Sequence, residues 1–454
     1  MEADFGLGRR LSIKNKARSQ LLNLLLSPGS RRVQRSSREL RRKLTGAAHE
    51  VSVFLQLDDP YSYLLAYYLP ELRAQFDIEL HIYLSQALGD EYRPEPELQS
   101  EYAAMDARRV AAELGIPFLD RGATPPVEHR RGLLDELAAH AQSPDFLDEM
   151  REVLGIYWRG DVEAAARRAD TGKAGAGDQM VKDSQALQKR LGHYNSAMLH
   201  YAGEWFWGVD RLHYLIDRLG EVGAATARKR SALLASLRQA ARFSLPARPP
   251  AAARSLPPLE FFHSFRSPYS YLALRRVYAI ADAFGLELKL RPVLPLVMRG
   301  VQVPRVKLLY IAKDTSREAA RLGVPFGKIA DPVGEGIERC LAVFRYAESE
   351  HKGREFLLNA GTAIWSEGVD VATDKGMRKV TGRTGLFWPD VLNAMAGDDW
   401  RKPTEENRES MVESGSWGVP TVRLGEEIFW GQDRDWLLVR HIEEHCDTGD
   451  GILV

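Results

Sequence analysis

Cysteine is almost absent: the chain has two in 454 residues, Cys340 and Cys446. They form no C-x-x-C, which excludes a dithiol redox centre, and a disulfide framework is not expected. Thiols this few suit a reducing cytoplasm, the expected compartment. Long apolar runs are also missing, and none approaches the ~20 residues of a membrane span. Charge of one sign is not in excess, since Lys+Arg and Asp+Glu number 62 each. No global field therefore argues for a nucleic-acid partner. What is present is an ordinary globular composition, 44% apolar and 27% charged, with length for about two or three domains.

Charge is uneven at one end. The first 50 residues hold 12 Lys/Arg against Glu2, Asp4, Glu39 and Glu50. The run "LLNLLL" is too short for a secretory leader, and no A-x-A site follows it. Residues 1–49 are read as a basic tail, partly disordered or helical; the other reading is docking to an anionic surface or a partner protein.

The chain then repeats itself. Pro-Tyr-Ser-Tyr-Leu occurs at 60–64 and again at 268–272, and "YAAMDARRVAAELGIPF" (102–118) matches "YIAKDTSREAARLGVPF" (310–326) at ten of seventeen positions, both at an offset of 208. "GEWFWGVDR" (203–211) answers "GEEIFWGQDR" (425–434) at an offset of 223. The first copy is thus about fifteen residues shorter, with a Gly-rich "TGKAGAGD" (171–178) where the second has "GLFWPDVLNAMAGDDW" (385–400). Two homologous domains are expected at 50–220 and 257–445. A helix and a Pro/Ala-rich linker (221–256) join them, and a short tail (446–454) follows. Each domain reads as strand, helix, strand, a long helical middle (127–195 and 333–415), then a hairpin and a final helix. That order describes an α/β architecture of two tandem thioredoxin-like domains, each carrying a helical insertion.

Three ordered motifs carry a resemblance: "FRSPYSYLAL" after a strand, "PRVKLLYIAKD" some forty residues on, and "GSWGVPTVRLGEEIFWGQDRDWLL" near the end. Together they resemble the kappa-class glutathione transferases and the 2-hydroxychromene-2-carboxylate isomerases, within the DsbA-like thioredoxin group. The second domain matches over nearly its full length, and the first matches the frame with weaker motifs. The resemblance implies glutathione as cofactor and a small aromatic or oxo-acid electrophile as second substrate. Ser267 falls where a redox thioredoxin has its reactive cysteine, and in the relatives the serine holds the glutathione sulfur. Lys307 matches a glutathione-contacting lysine. Val419-Pro420 matches the cis-proline turn, and Asp433 the acid for the γ-glutamyl end, with Gln432 where relatives often have serine.

The residues have bland readings as well. Ser267 before Pro268 is a common helix start, and Asp433 suits a helix N-terminus. The functional reading adds that a thiol at a helix N-terminus meets unpaired N–H groups and the positive end of the dipole. His263, Trp365, Trp388 and Trp417 are read as core or as the wall of an aromatic pocket. Cys340 is read as a small core residue, and His441, His445 and Cys446 as an exposed helix end rather than a metal site. In the first domain the four key positions map to Asp59, Gln99, Met198 and Asp210. A carboxylate at 59 caps a helix as well as serine does but repels a thiolate. The first domain is therefore expected to be catalytically silent and to pack on the second as an internal pseudo-dimer. The function expected for the second is a glutathione-dependent isomerase or transferase. The alternatives are a disulfide-oxidoreductase relative without its dithiol, or a non-catalytic scaffold.

Overall fold

Asp59 and Ser267 each end a strand-to-helix loop and cap the helix that follows. Their side chains accept from Tyr61 N and Ser270 N respectively. These two helix starts organise two units that a computed structural model of the chain divides at Arg242/Phe243. The structure describes residues 23, 26–85, 89, 92–120, 127–141, 143–169, 172–228, 231–240, 242–247 and 256–447. The first part of the expected tail (1–22, 24 and 25), the middle of the Pro/Ala-rich linker and residues 448–454 lie outside these.

The first unit, Arg35–Arg242, contains β1 (Glu50–Leu55), α2 (Pro60–Gln75), β2 (Glu79–Leu84), α3 (Pro96–Leu114), α4 (Val127–His140), α5 (Phe146–Arg159), α6 (Val162–Ala169), α7 (Ala176–Leu191), β3 (Met198–Tyr201), β4 (Glu204–Trp207), α8 (Gly208–Glu221) and α9 (Ala232–Ala240). Helix α1 (Pro28–Thr45) precedes them, and its Arg35 grips the Glu204 carboxylate at 2.7 and 2.8 Å. The sheet order is β2-β1-β3-β4, with β1 parallel to β2 and antiparallel to β3. Helix α9, expected in the linker, buries Leu234 and Leu237 and packs on α8 and α2.

The second unit is Phe243–Val454 with residues up to Gln34. It contains β5 (Leu259–His263), α10 (Pro268–Phe284), β6 (Leu288–Pro292), α11 (Arg305–Leu322), α12 (Glu335–Ser349), α13 (Gly353–Trp365), α14 (Asp374–Thr384), α15 (Trp388–Ala396), α16 (Arg401–Glu413), β7 (Thr421–Leu424), β8 (Glu427–Trp430) and α17 (Asp435–Asp447). Its sheet order, β6-β5-β7-β8, repeats that of the first unit. All five residues of β5 are buried, as expected of a central strand covered on both faces. Phe262 packs with Val293, Val419 and Met411 of α16 on one face. Phe261, on the alternate face, lies beside His263, which meets Phe344 of α12.

The repeat is held together in the same way in both units. Tyr61 donates to Asp106 and Tyr269 to Asp314, each at 2.8 Å. Tyr63 donates to the Pro117 carbonyl at 2.7 Å and Tyr271 to that of Pro325 at 2.9 Å. The two tyrosines of Pro-Tyr-Ser-Tyr thus tie each capped helix to the second repeated motif. The helical insertion differs by α15, which has no counterpart among the described residues of the first unit. The Gly-rich stretch there is not an empty gap, because α7 begins inside it. A Cβ at Gly177 would lie 2.4 Å from the Leu134 carbonyl carbon of α4, so only glycine permits the approach.

Candidate functional site

The site is built where α10 begins. Ser267 Oγ accepts from Ser270 N at 3.1 Å and lies 3.5 Å from the carbonyl oxygen of Val419, toward which it donates. The Val419–Pro420 bond is cis. Pro420 in turn accepts from Gly431 N at 2.9 Å, which joins the proline turn to the Gly431-Gln432-Asp433 turn ahead of α17. Gly431 has φ +111°, and a Cβ there would sit 2.7 Å from Asp433 Oδ1. That φ favours glycine. Contacts therefore link Ser267, Val419, Pro420 and the turn bearing Asp433 in one region, although they are up to 166 residues apart in sequence. Asp433 is half-buried beside Arg434 at 3.8 Å. Lys307 stands in the first turn of α11, which packs on α10, and burial lowers the pKa of its ammonium.

Gln432 is placed otherwise than expected. Its side chain is 3% exposed: Oε1 accepts from Arg276 at 2.6 Å, and Nε2 donates to the Glu318 carboxylate at 2.8 Å. Arg276 also pairs with Asp435 at 2.5 Å. Burial raises the Asp435 carboxyl above its ordinary range, and Arg276 partly offsets the rise. A buried amide with both ends engaged by buried charged groups is an internal strut. Its polar atoms are already engaged inside the protein.

The aromatic candidates are mostly core. Trp365 is 7% exposed, donates to the Phe265 carbonyl at 3.2 Å and stacks on Phe326. Trp417 is buried against Trp430, and Trp388 lies under the Arg378 guanidinium. His263 is 2% exposed, its Nε2 has no partner, and burial depresses its pKa to about 3. Cys340 is fully buried, which pushes its thiol pKa up. His441, His445 and Cys446 are half-buried rather than exposed, and the two imidazole rings lie 4.0 Å apart, tilted by 44°.

The first unit answers differently at the same places. Asp59 Oδ1 accepts from Tyr61 N at 3.2 Å and Oδ2 from Ser62 Oγ at 2.7 Å, and Ser196 also bonds it. Burial raises its carboxyl to about 6 against these bonds. Sheet register corrects one expected equivalence. Thr421 faces Phe262 and Met198 faces Phe54, so Pro420 corresponds to Ala197 rather than to Met198. Gly208 N donates to the Ala197 carbonyl as Gly431 N does to that of Pro420. Ala197 has φ +52° and no cis bond precedes it. Sequence reading also passed over Arg266, next to Ser267, which forms a two-pronged pair with Asp331.

A capped helix after a central strand, opposed by a cis-proline turn, defines the thioredoxin class. Residues 258–443 match the DSBA-like thioredoxin domain, and the second unit is such a domain. More particularly, the chain is 25% identical over 196 residues to the 2-hydroxychromene-2-carboxylate isomerase of Pseudomonas putida, covering 41% of this chain and 95% of that protein. Among solved structures it is similar to a 2-hydroxychromene-2-carboxylate isomerase, with 24% identity, 42% of this chain, 97% of that chain and a TM-score of 0.38. It is also similar to the cytosolic disulfide reductase DsbM of Pseudomonas aeruginosa with GSH, with 19% identity, 42% of this chain, 98% of that chain and a TM-score of 0.32. Among the described residues no helix is long and apolar enough to cross a membrane.

Proposed function

We propose that the second unit is a glutathione-dependent isomerase of the 2-hydroxychromene-2-carboxylate type, or a transferase of the related kappa type, and that Ser267 is its central residue. The observation that carries this reading is the Ser267 hydroxyl at the N-terminus of α10, facing the cis Val419–Pro420 turn. The residues fit the cofactor. Glutathione presents a thiol, a peptide edge and charged ends; the site offers a hydroxyl donor on a helix dipole, a cis-proline turn, one half-buried cation (Lys307) and one half-buried acid (Asp433). The curated similarity to the Pseudomonas putida isomerase supports the isomerase side.

Bound glutathione would supply a thiol sulfur for reversible addition to an activated double bond, or for displacement of a leaving group. The chain's own residues have separable tasks. Ser267 donates to the sulfur and, with the N-terminal N–H groups of α10, favours its ionised form. The Val419 backbone presents the edge against which a peptide aligns. Lys307 and Asp433 hold opposite charges at the ends. With serine at 267, dithiol exchange has no attacking sulfur. The first unit lacks the hydroxyl donor at this place and the proline turn, which supports a silent copy.

The direct test is calorimetric titration of glutathione into the full chain and into Ser267→Ala. The reading expects wild-type binding that the variant weakens. No binding by the wild type would sink it.

A further inference from the structure

We propose that Arg266 recognises the carboxylate of the electrophile, and that Asp331 is the internal carboxylate occupying the guanidinium until the substrate replaces it. This deepens the glutathione reading and rests on it for the position of the reacting sulfur. Arg266 immediately precedes Ser267. Its Nε and Nη2 each donate to one oxygen of Asp331 at 2.8 Å, the parallel geometry by which a guanidinium reads any carboxylate.

The pair is accessible while its surroundings are fixed. The Asp331 side chain is 47% exposed and that of Arg266 18%. An ion pair this open to solvent on its acid side contributes little, so exchanging one carboxylate for another is cheap. The backbone on either side is held firmly. Trp365 Nε1 bonds the Phe265 carbonyl, Ser267 N bonds the Ser264 carbonyl, and Gly327 N and Ala330 N bond the carbonyls of Trp365 and Ile364. Trp365, which bonds the Phe265 carbonyl, stacks on Phe326.

The first unit supplies the contrast. At the position equivalent to Arg266 it has Asp58, paired with Arg130 at 3.2 Å. An ion pair is kept and its sign is reversed. A tie between loop and insertion is served by either sign, whereas an anionic ligand is served only by the cation. The cation stands in the copy that carries serine at the helix cap.

The test uses the full chain, with trans-4-phenyl-2-oxobut-3-enoate as the acid probe and 4-phenylbut-3-en-2-one as its neutral counterpart. Both are titrated calorimetrically without glutathione. A pair of the same weak kind predicts that Arg266→Met weakens the acid by up to about 5-fold. Arg266→Lys should recover part of the loss, Asp331→Asn should tighten the acid, and the ketone should respond to none of the three. A purely structural pair predicts the same direction for Arg266→Met and Asp331→Asn. That result, an equal effect on the ketone, or no binding of the acid by the wild type overturns the proposal. Should Arg266→Met fail to fold, the Arg266→Lys and Asp331→Asn variants still decide it. Glutathione is titrated separately: its affinity should not change in Arg266→Met, and a loss there with the acid unaffected would move Arg266 to the cofactor half. Failure of wild-type glutathione binding with intact acid recognition would overturn the cofactor reading and leave this one standing.

Discussion

The Ser267 hydroxyl lies 3.5 Å from the Val419 carbonyl oxygen and also caps α10 through Ser270 N. Two roles therefore sit on one oxygen, and two substitutions separate them. Ser267→Ala removes both: the lost cap costs about 1 kcal/mol, and the lost donor, worth ~1.5–3 kcal/mol to a charged acceptor, raises the pKa of bound glutathione by about 1–2 units. Ser267→Asp keeps the cap and repels the thiolate. It should melt with the wild type and show no thiolate absorbance on glutathione addition.

Gln432 separates the internal strut from a ligand contact. Gln432→Ala leaves Arg276 and Glu318 short of a partner and should cost about 1–3 kcal/mol in denaturant unfolding. Glutathione affinity, measured on the folded variant, should stay within about 2-fold of the wild type. Arg276→Met strands Asp435 in the interior and should cost more, about 3–5 kcal/mol.

His263 sets an acid limit on the second unit. Its folded pKa, near 3, lies below the ordinary value of 6.5, so the folded state binds fewer protons than the unfolded one. The stability held above pH ~6.5 is then lost progressively as pH falls toward 3. Chemical denaturation at pH 8 and pH 5 should show the loss in the wild type and a smaller one in His263→Phe. The variant also removes an unpartnered Nε2 from an aromatic cluster and should be the more stable at both values.

Asp59 has the opposite sign. Its carboxyl is raised by burial to about 6 from an ordinary 3.8, so the penalty is absent below ~pH 4 and grows as pH rises through 6. Asp59→Asn retains a good cap without the charge and should flatten that dependence. Asp59→Ser should fold and add no second glutathione site, so titration of the full chain should keep the wild-type stoichiometry, because Ala197, with its positive φ, stands where the second unit has Pro420.

The tandem repeat, the strand–helix–strand frame, the interposed helices and the capped starts at Asp59 and Ser267 were legible in the linear sequence. Each rests on rules readable along the chain: apolar periodicity, a cap before proline, and motifs repeated at an offset of 208 early in the copies and 223 at their close. The equivalence of Pro420 with Ala197 was legible too, since the closing-hairpin offset of 223 gives it; the Met198 assignment departs from that offset by one residue, and strand register corrects it. The fate of Gln432 was hidden. Its partners, Arg276 and Glu318, lie more than a hundred residues away, and nothing in "GQDR" says which way the amide points. The Arg266–Asp331 pair escaped because an arginine beside a cap has no local signature.

The sequence by itself determined which segments form strands and helices, because caps, prolines and apolar spacing act within a few residues. Only the tertiary structure decided which side chains meet. It placed Ser267 against the Val419 carbonyl and closed Asp59 in on Ser62 and Ser196. It buried Gln432 and left the Arg266–Asp331 pair in reach of solvent. Those contacts follow from how β5, β7 and the helices around them pack, and packing couples residues that no short-range rule connects.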